Sequence, residues 1–375
     1  MINKFFKIRE SVDIYTLPLK DKKYKIQFYR INTREKKSIE VDKIVLNILI
    51  FLDGSKTLKE IAKITNADIA SIKKLINFLF QHGFLIEVQK DNVTEERFKR
   101  QISFFNDLIP NSNGEEVQKK LSSKKVVIFG VGSVGGDIAI LLSRAGIKNF
   151  LLIDYKKTRK SDIVRHLYVN NKNLGIYKTD ALKEYIQKIN KKINVLCINK
   201  KLIPNSNLKE FIPEDTDIVI NCADEPYIGH TSLKIGRYLW DKKIPLYIAG
   251  GFDAHSMSTG ELIVPNKTPC IDCYQNSFRK ALKDWKPSYN TEQEKKALID
   301  FTEQHNDIEN IIIGGAGSVA QCSLFSASYA VMKIIFHLIG LDITKESKRG
   351  EYLINEGIFT WVDFTKEECD ICRRK

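Results

Sequence analysis

The most constraining stretch of this 375-residue chain runs from Lys125 to Lys178. An apolar run, Val126-Val127-Ile128-Phe129, leads directly into Gly130-Val131-Gly132-Ser133-Val134-Gly135-Gly136. A helical pattern follows from Asp137 to Ala145, and then a second apolar run, Phe150-Leu151-Leu152-Ile153, ends at Asp154. The order is strand, tight turn, helix, strand. Glycines at such a turn let the backbone bend sharply and approach a phosphate, and the free N–H groups of the following helix attract the anion. A carboxylate ending the next strand, here Asp154, is placed for ribose hydroxyls. The stretch indicates a nucleotide, with Gly130, Gly132, Ser133 and Gly135 as its cradle, and leaves open which nucleotide.

What lies beyond the loop narrows the choice. Ser161-Asp162-Ile163-Val164-Arg165-His166 is followed by Gly175-Ile176-Tyr177-Lys178, and later by Asn221-Cys222-Ala223-Asp224 at a strand end. Arg165 and Lys178 supply two cations for phosphate oxygens, and Asp224 a carboxylate for magnesium, a set that suits a triphosphate such as ATP. From Lys125 to about Pro265 strands and helices alternate. Lys178 to Ile193 reads as a helix, residues 195–198 and 217–220 as strands, Pro226 to Trp240 as a helix, and residues 245–249 as a strand. This spacing predicts an α/β fold, a mostly parallel Rossmann-like sheet with right-handed crossovers. Gly130, Asp154 and Asp224 would all fall at the carboxyl ends of its strands, where such sheets bind ligands.

Two further cysteine pairs, Cys270-Ile271-Asp272-Cys273 and Cys369-Asp370-Ile371-Cys372, each offer two thiolates from one tight turn, and four thiolates suit a tetrahedral structural zinc. Cys197, Cys222 and Cys322 lie in apolar strand or helix patterns and read as core thiols, so no covalent relay through cysteine is expected. The longest apolar run noted is about Ile44 to Leu52, too short to span a bilayer, and the first residues lack a signal-peptide core. A cytoplasmic protein without a membrane partner is therefore expected, with its seven cysteines unpaired. The net charge of +14 fits handling of ATP and an acidic partner as well as it fits nucleic acid.

Residues 1–90 read as a separate winged-helix-like unit. Tyr24, Ile26 and Phe28 alternate with polar neighbours as in a half-buried strand. Three short helices follow: Asp42 to Leu52, stopped by Asp53-Gly54; one starting at Thr57, with Glu60 completing a capping box; and Ile69 to His82, stopped by Gly83. Residues 84–88 close the unit as a strand. The third helix is mostly apolar with only Lys73 and Lys74 basic, which argues against DNA. Residues 91–124, with the loop signal Asn111-Ser112-Asn113-Gly114, read as a linker carrying the helix of Arg97-Phe98-Lys99-Arg100-Gln101.

The arginine helix, glycine loop, Arg165, Lys178, Asp224 and both cysteine pairs, in this order, resemble the ubiquitin-activating-type adenylyltransferases. The phrase Leu52-Asp53-Gly54-Ser55-Lys56-Thr57-Leu58-Lys59-Glu60-Ile61-Ala62 resembles the leader-peptide-recognition domains related to the pyrroloquinoline-quinone peptide chaperone. Together the chain is similar to the peptide-modifying branch of microcin C-type nucleotidyltransferases and pantocin-type cyclising enzymes. The resemblance implies an adenylation domain over residues 125–375, a crossover loop at 274–310 and a zinc-binding tail. It further implies a homodimer in which Arg100 reaches the ATP of the partner subunit, and a short ribosomal peptide held by residues 1–90 and activated at a carboxylate. The family has Asn where Asp162 stands and Gln where His166 stands, two positions beside the phosphates. Rival readings are an activator of a ubiquitin-like sulfur carrier, which does not need residues 1–90, a NAD-dependent oxidoreductase, and a nucleotide-sensing DNA-binding regulator.

Overall fold

The computed structural model describes residues 2–88, 95–109, 113–224, 228–249, 257–281, 319–342 and 347–373. Most of the crossover loop expected at 274–310 lies outside these residues, as do Asn111 and Ser112 and residues 91–94. The chain divides into two compact units, Met1–Lys120 and Leu121–Lys375.

In the first unit, β2 (Val12–Pro18), β3 (Lys23–Arg30) and β4 (Lys36–Asp42) form an antiparallel meander. Asp21 and Lys22 take left-handed φ values of 58° and 57° at its first turn, the backbone that suits the twist of a tight hairpin. The core side of β3 is fully buried at Ile26 and Phe28, and Phe28 stacks on Phe84 with ring centroids 5.1 Å apart. Against this sheet lie α1 (Lys43–Ile50), α2 (Leu58–Thr65) and α3 (Ile69–Gln81), which contribute Ile48, Ile61, Ile72, Ile76 and Leu79 to one core. The capping box on α2 is formed: Thr57 Oγ1 accepts from the Glu60 N–H and Glu60 Oε2 accepts from the Thr57 N–H, worth about 1 kcal/mol. Gly83, at φ 65°, closes α3.

A second small sheet was not expected. β1 (Phe5–Ile8) is its centre, between β5 (Asp53–Thr57) and β6 (Leu85–Val88). The Asp53-Gly54 break does stop α1, but the chain then continues as a strand rather than a loop. Pairing at this distance along the chain leaves no local signature in four or five residues. The unit also takes in α4 (Lys99–Leu108), where Ser103 Oγ donates to Glu10 and Ser11 Oγ to Asp107; the chain leaves it through α5 (Gly114–Ser122).

The second unit is built on a six-stranded sheet. Its elements begin β7 (Lys125–Phe129), α6 (Ser133–Arg144), β8 (Asn149–Ile153), α7 (Lys178–Ile189) and β9 (Asn194–Ile198), and continue with β10 (Ile218–Asn221), α8 (Ile228–Asp241) and β11 (Leu246–Ile248). β12 (Met257–Ser258) and β13 (Glu261–Ile263) follow. The order is β13-β11-β10-β7-β8-β9, parallel except for β13, as the alternation of strands and helices predicts. Val126, Val127, Ile128 and Leu152 are wholly buried, the signature of a sheet covered on both faces. α6 starts at Ser133, earlier than the apolar pattern alone suggests, because Gly135 and Gly136 are part of the helix.

The remaining described elements are α9 (Ile271–Ala281), α10 (Ala320–Ile339), the hairpin β14 (Lys348–Leu353) and β15 (Ile358–Asp363), and α11 (Asp370–Arg373). The expectation that no stretch matches a membrane span needs correction: α10 is long and apolar enough by length and composition. Half of that window is buried, and its Ser323 Oγ donates to the buried Asp137 of α6 at 3.0 Å, as in the central helix of a globular core.

Candidate active site

The carboxyl ends of β7, β8, β10 and β11 open onto a cleft of about 400 Å³. Gly130 turns the chain out of β7 with φ 77°, and a Cβ on it would come within 2.8 Å of the Cys222 and Ala223 backbone. A Cβ on Gly135 would meet the Gly130 carbonyl oxygen at 2.0 Å, so the helix can pack on the strand only without a side chain there. Gly132, which caps α6, is different: a Cβ on it would touch none of the described residues within 4 Å. That open space beside a helix N-terminus fits an anionic group of a ligand. Ser133 and Gly135 also line the cleft.

Asp154 lines the cleft and pins the loop. Its Oδ2 accepts from the Val131 N–H at 2.9 Å and its Oδ1 from the Lys156 N–H at 2.9 Å. Each carboxylate oxygen keeps a further lone pair for a ligand hydroxyl. Asp224 is exposed at the cleft just past the end of β10. Its segment is held by Asn221, whose buried amide donates to Thr231 and Ser232 and accepts from the Ala223 N–H.

Arg165, His166 and Lys178 line the opposite wall, and Asp162 lies behind them. The buried Asp162 carboxylate sits 3.6 Å from Arg165 Nη2, 3.7 Å from His166 Nε2 and 3.5 Å from Lys178 Nζ, and accepts from the Arg159 N–H. Asp162 is thus a counter-anion to the cations rather than a wall of the cleft. Burial, and then Lys178, hold His166 down at about 4, so it is neutral at pH 7, and its Nδ1 has no partner among the described residues. Burial also lowers the Lys178 ammonium, with Asp162 opposing.

Arg100 is exposed on α4 in the first unit. Lys200 and Lys201, which line the cleft, were missed. The available signal was position: they follow the carboxyl end of β9 as Asp154 follows β8. Cys222, expected in the core, also lines the cleft, its thiol pushed strongly up by burial.

The four cysteines of the two pairs converge. All four Sγ atoms lie within 4.8 Å of one another, with Cys270–Cys369 at 3.3 Å, Cys273–Cys369 at 3.7 Å and Cys273–Cys372 at 3.6 Å. Sulfurs about 2.3 Å from a zinc stand about 3.8 Å apart in a tetrahedron, so the set fits that metal. It would join α9 to α11.

A doubly wound sheet with a glycine loop, an acid after the next strand and paired cations at the strand ends defines a nucleotide-binding α/β domain. The ThiF family pattern matches residues 100–353, and the chain belongs to the ThiF family. Curated relatives include the vegetative HesA protein of Trichormus variabilis, 28% identical over 178 residues, covering 48% of this chain and 62% of that protein. The molybdopterin-synthase adenylyltransferase of Haemophilus influenzae is 30% identical over 159 residues, covering 42% of this chain and 61% of that protein. The chain thus spans less than two thirds of these relatives. Among solved structures, E. coli MccB with succinimide aligns over 99% of both chains with TM-score 0.71 at 19% identity. PaaA aligns over 79% of this chain and 92% of its own with TM-score 0.61 at 21% identity. These likenesses speak for the fold.

Proposed function

We propose that the chain is an ATP-dependent adenylyltransferase that activates a carboxylate of a short ribosomal peptide, in the making of a modified peptide antibiotic. The observation that carries this reading is the convergence of an open glycine loop, Arg165, Lys178 and Asp224 on one cleft. In support, MccB, of the same fold, has been solved with ATP and with the peptide MccA. Residues 1–90 would capture the peptide as an added strand on the sheet edge near α3, in the manner of a leader-recognition domain. Residues 125–375 would carry out adenylation, and residues 91–124 would link the two.

The chemistry asked of the chain is positioning and charge neutralisation. A carboxylate oxygen attacks the α-phosphorus of ATP, the bond to the bridging oxygen breaks, and pyrophosphate leaves with the electron pair. Lys178 and Arg165 face the phosphate oxygens, released from Asp162 as the triphosphate takes their charge. Gly132 and Ser133 present backbone N–H groups, and Asp154 accepts from the ribose. Asp162 is the counter-anion behind the cations when the site is empty, and the neutral His166 lines the wall beside them. Magnesium, when bound, would offset phosphate charge, with Asp224 as its holder. In a two-fold homodimer Arg100 would serve the partner's site. Zinc would be structural, and the protein cytoplasmic.

The test is exchange of labelled pyrophosphate into ATP, supplied either with the product of a short reading frame beside the gene or with a ubiquitin-like carrier. Exchange with the peptide alone is expected. Exchange only with the carrier establishes the second reading, favoured by the molybdopterin-synthase relatives. No exchange with any nucleotide overturns both.

A further inference from the structure

The first unit has a cleft of its own, about 430 Å³, between the segment after β1, the β3–β4 turn and the end of α3. Arg9 and Arg30 line it, with Glu35, Phe80, His82 and Asp107. None of these belongs to the nucleotide cleft. We propose that this cleft is a carboxylate-binding subsite, and that the carboxylate belongs to the peptide held by this unit; the second clause rests on the peptide reading above.

The argument starts from how poorly the two guanidinium groups are satisfied. Arg9 is only 6% exposed and its Nε has no hydrogen-bond partner among the described residues; the buried Nε of Arg30 has none among them either. Arg9 and Arg30 are close enough for their charges to oppose each other. The acids in the cleft answer them only loosely. Asp107 is 3.8 Å from Arg9 Nη1, and the same oxygen already accepts from Ser11 Oγ at 2.7 Å. Glu35 is 3.8 Å from Arg30 Nη1. Arg30 Nη2 donates to the His82 carbonyl, which fixes it at the C-terminus of α3, and Gly83 leaves the room: a Cβ there would fall 2.2 Å from that nitrogen. Each guanidinium carries five donors in a planar fork, and leaving such donors unmet away from water is costly. The group that meets two adjacent forks is a planar anion with two oxygens, a carboxylate. Phe80, 36% exposed, offers an apolar surface for its methylene stem.

The position fits a peptide as carrier. Among the described residues β4 is an edge strand, paired only with β3. Glu35 precedes its first residue, so a strand added to β4 would reach this cleft at one end. The carboxylate can come from an Asp or Glu side chain or from a chain end.

The experiment follows the arginine Nε–Hε signals of the full-length protein by NMR, assigned with Arg9→Lys and Arg30→Lys. Three probes are titrated: N-acetyl-glutamate N-methylamide, with only a side-chain carboxylate; N-acetyl-alanine, with only a chain-end carboxylate; and neutral N-acetyl-glutamine N-methylamide. One carboxylate is expected to shift both signals and the neutral probe neither, and which one does so identifies the source. Asp107→Asn should tighten that probe roughly three-fold, the scale of a loosely held charge. The proposal fails if no carboxylate moves the Arg9 and Arg30 signals, if the neutral probe moves them equally, or if Asp107→Asn weakens binding. Calorimetry with the encoded peptide separates the two readings. Peptide binding with silent arginines sinks only the carboxylate subsite; responding arginines without peptide binding support the subsite and sink only the peptide.

Discussion

The two clefts have nearly equal volumes, about 430 and about 400 Å³, and both contain cations, but they hold them in different ways. In the second unit Arg165 and Lys178 have one buried carboxylate, Asp162, behind them, while Lys200 and Lys201 stand past the end of β9. Charge at that pair is balanced from the rear, and the acids that line the cleft, Asp154 and Asp224, make no ion pair with it among the described residues, so the two cations stay open to a polyanion. In the first unit the acids share the cleft with the arginines and pair with them at 3.8 Å. That geometry suits one small anion competing with internal partners. What decides the ligand a cationic cleft can take is where its counter-anions sit, rather than how many cations it has.

The largest effects expected from this contrast are in catalysis. Lys178→Ala, Arg165→Ala and Asp224→Ala should each lower pyrophosphate exchange by about 100- to 1,000-fold, the scale of removing one preorganised charge contact in a transition state. Peptide affinity, measured by calorimetry, should stay within about two-fold, since the proposed peptide site lies in a different unit. Wild-type exchange in all three folded variants would remove the second cleft from the mechanism.

Next in size is the homodimer. Arg100→Ala and Asp224→Ala should each be nearly inactive. If Arg100 acts in the partner's site, a heterodimer has one doubly mutated and one intact site. Co-expression in equal amounts should then return roughly a quarter of wild-type exchange. Subunit exchange shown by mass spectrometry without returning activity would confine Arg100 to a role in its own chain.

The cysteine cluster sharpens the comparison through stability. About one zinc per chain is expected by elemental analysis. Cys369→Ser should lose it and lower Tm by roughly 5–10 °C, about 2–3 kcal/mol for a unit of this size. Local proteolysis should find the second unit weakened and the first unchanged. Full zinc retention in the variant would dismiss the four-cysteine site.

The same contrast explains what the sequence discloses. Gly130, Asp154, Lys178 and Asp224 are legible because a parallel sheet gathers strand ends, so spacing along the chain becomes proximity in space. The cysteines are legible because each pair is local. Arg9, Arg30 and Asp107 are not: turns and a helix end bring them together, and no period connects residues so far apart. β1 and β5 escape notice for the same reason. Asp162 is visible as a residue, but its place behind the cations follows from the turn at residues 160–162, whose backbone fold has no strong signature.

The smallest effect concerns the helix under the second cleft. Asp137 of α6 is fully buried, hydrogen-bonded by Ser323 on one oxygen and, among the described residues, unpartnered on the other. Burial, opposed by Ser323, raises its carboxyl from 3.8 to about 7. A group whose folded pKa exceeds its unfolded value favours the fold fully below the unfolded value, and that contribution is lost as pH rises through the folded one. Asp137 therefore draws stability down between about pH 4 and about pH 7. His166 acts in the opposite sense, since its folded value of about 4 lies below the ordinary 6.5, and Glu261, raised by burial to about 7, acts in the same sense as Asp137. Both are unchanged in Asp137→Asn, so the quantity to read is the variant's Tm minus the parent's. That difference should rise by a few degrees from pH 4.5 to pH 7.5 and then level off. A flat difference across this range would mean that Asp137 is already ionised in the folded protein, and that α6 carries a buried negative charge beneath the glycine loop.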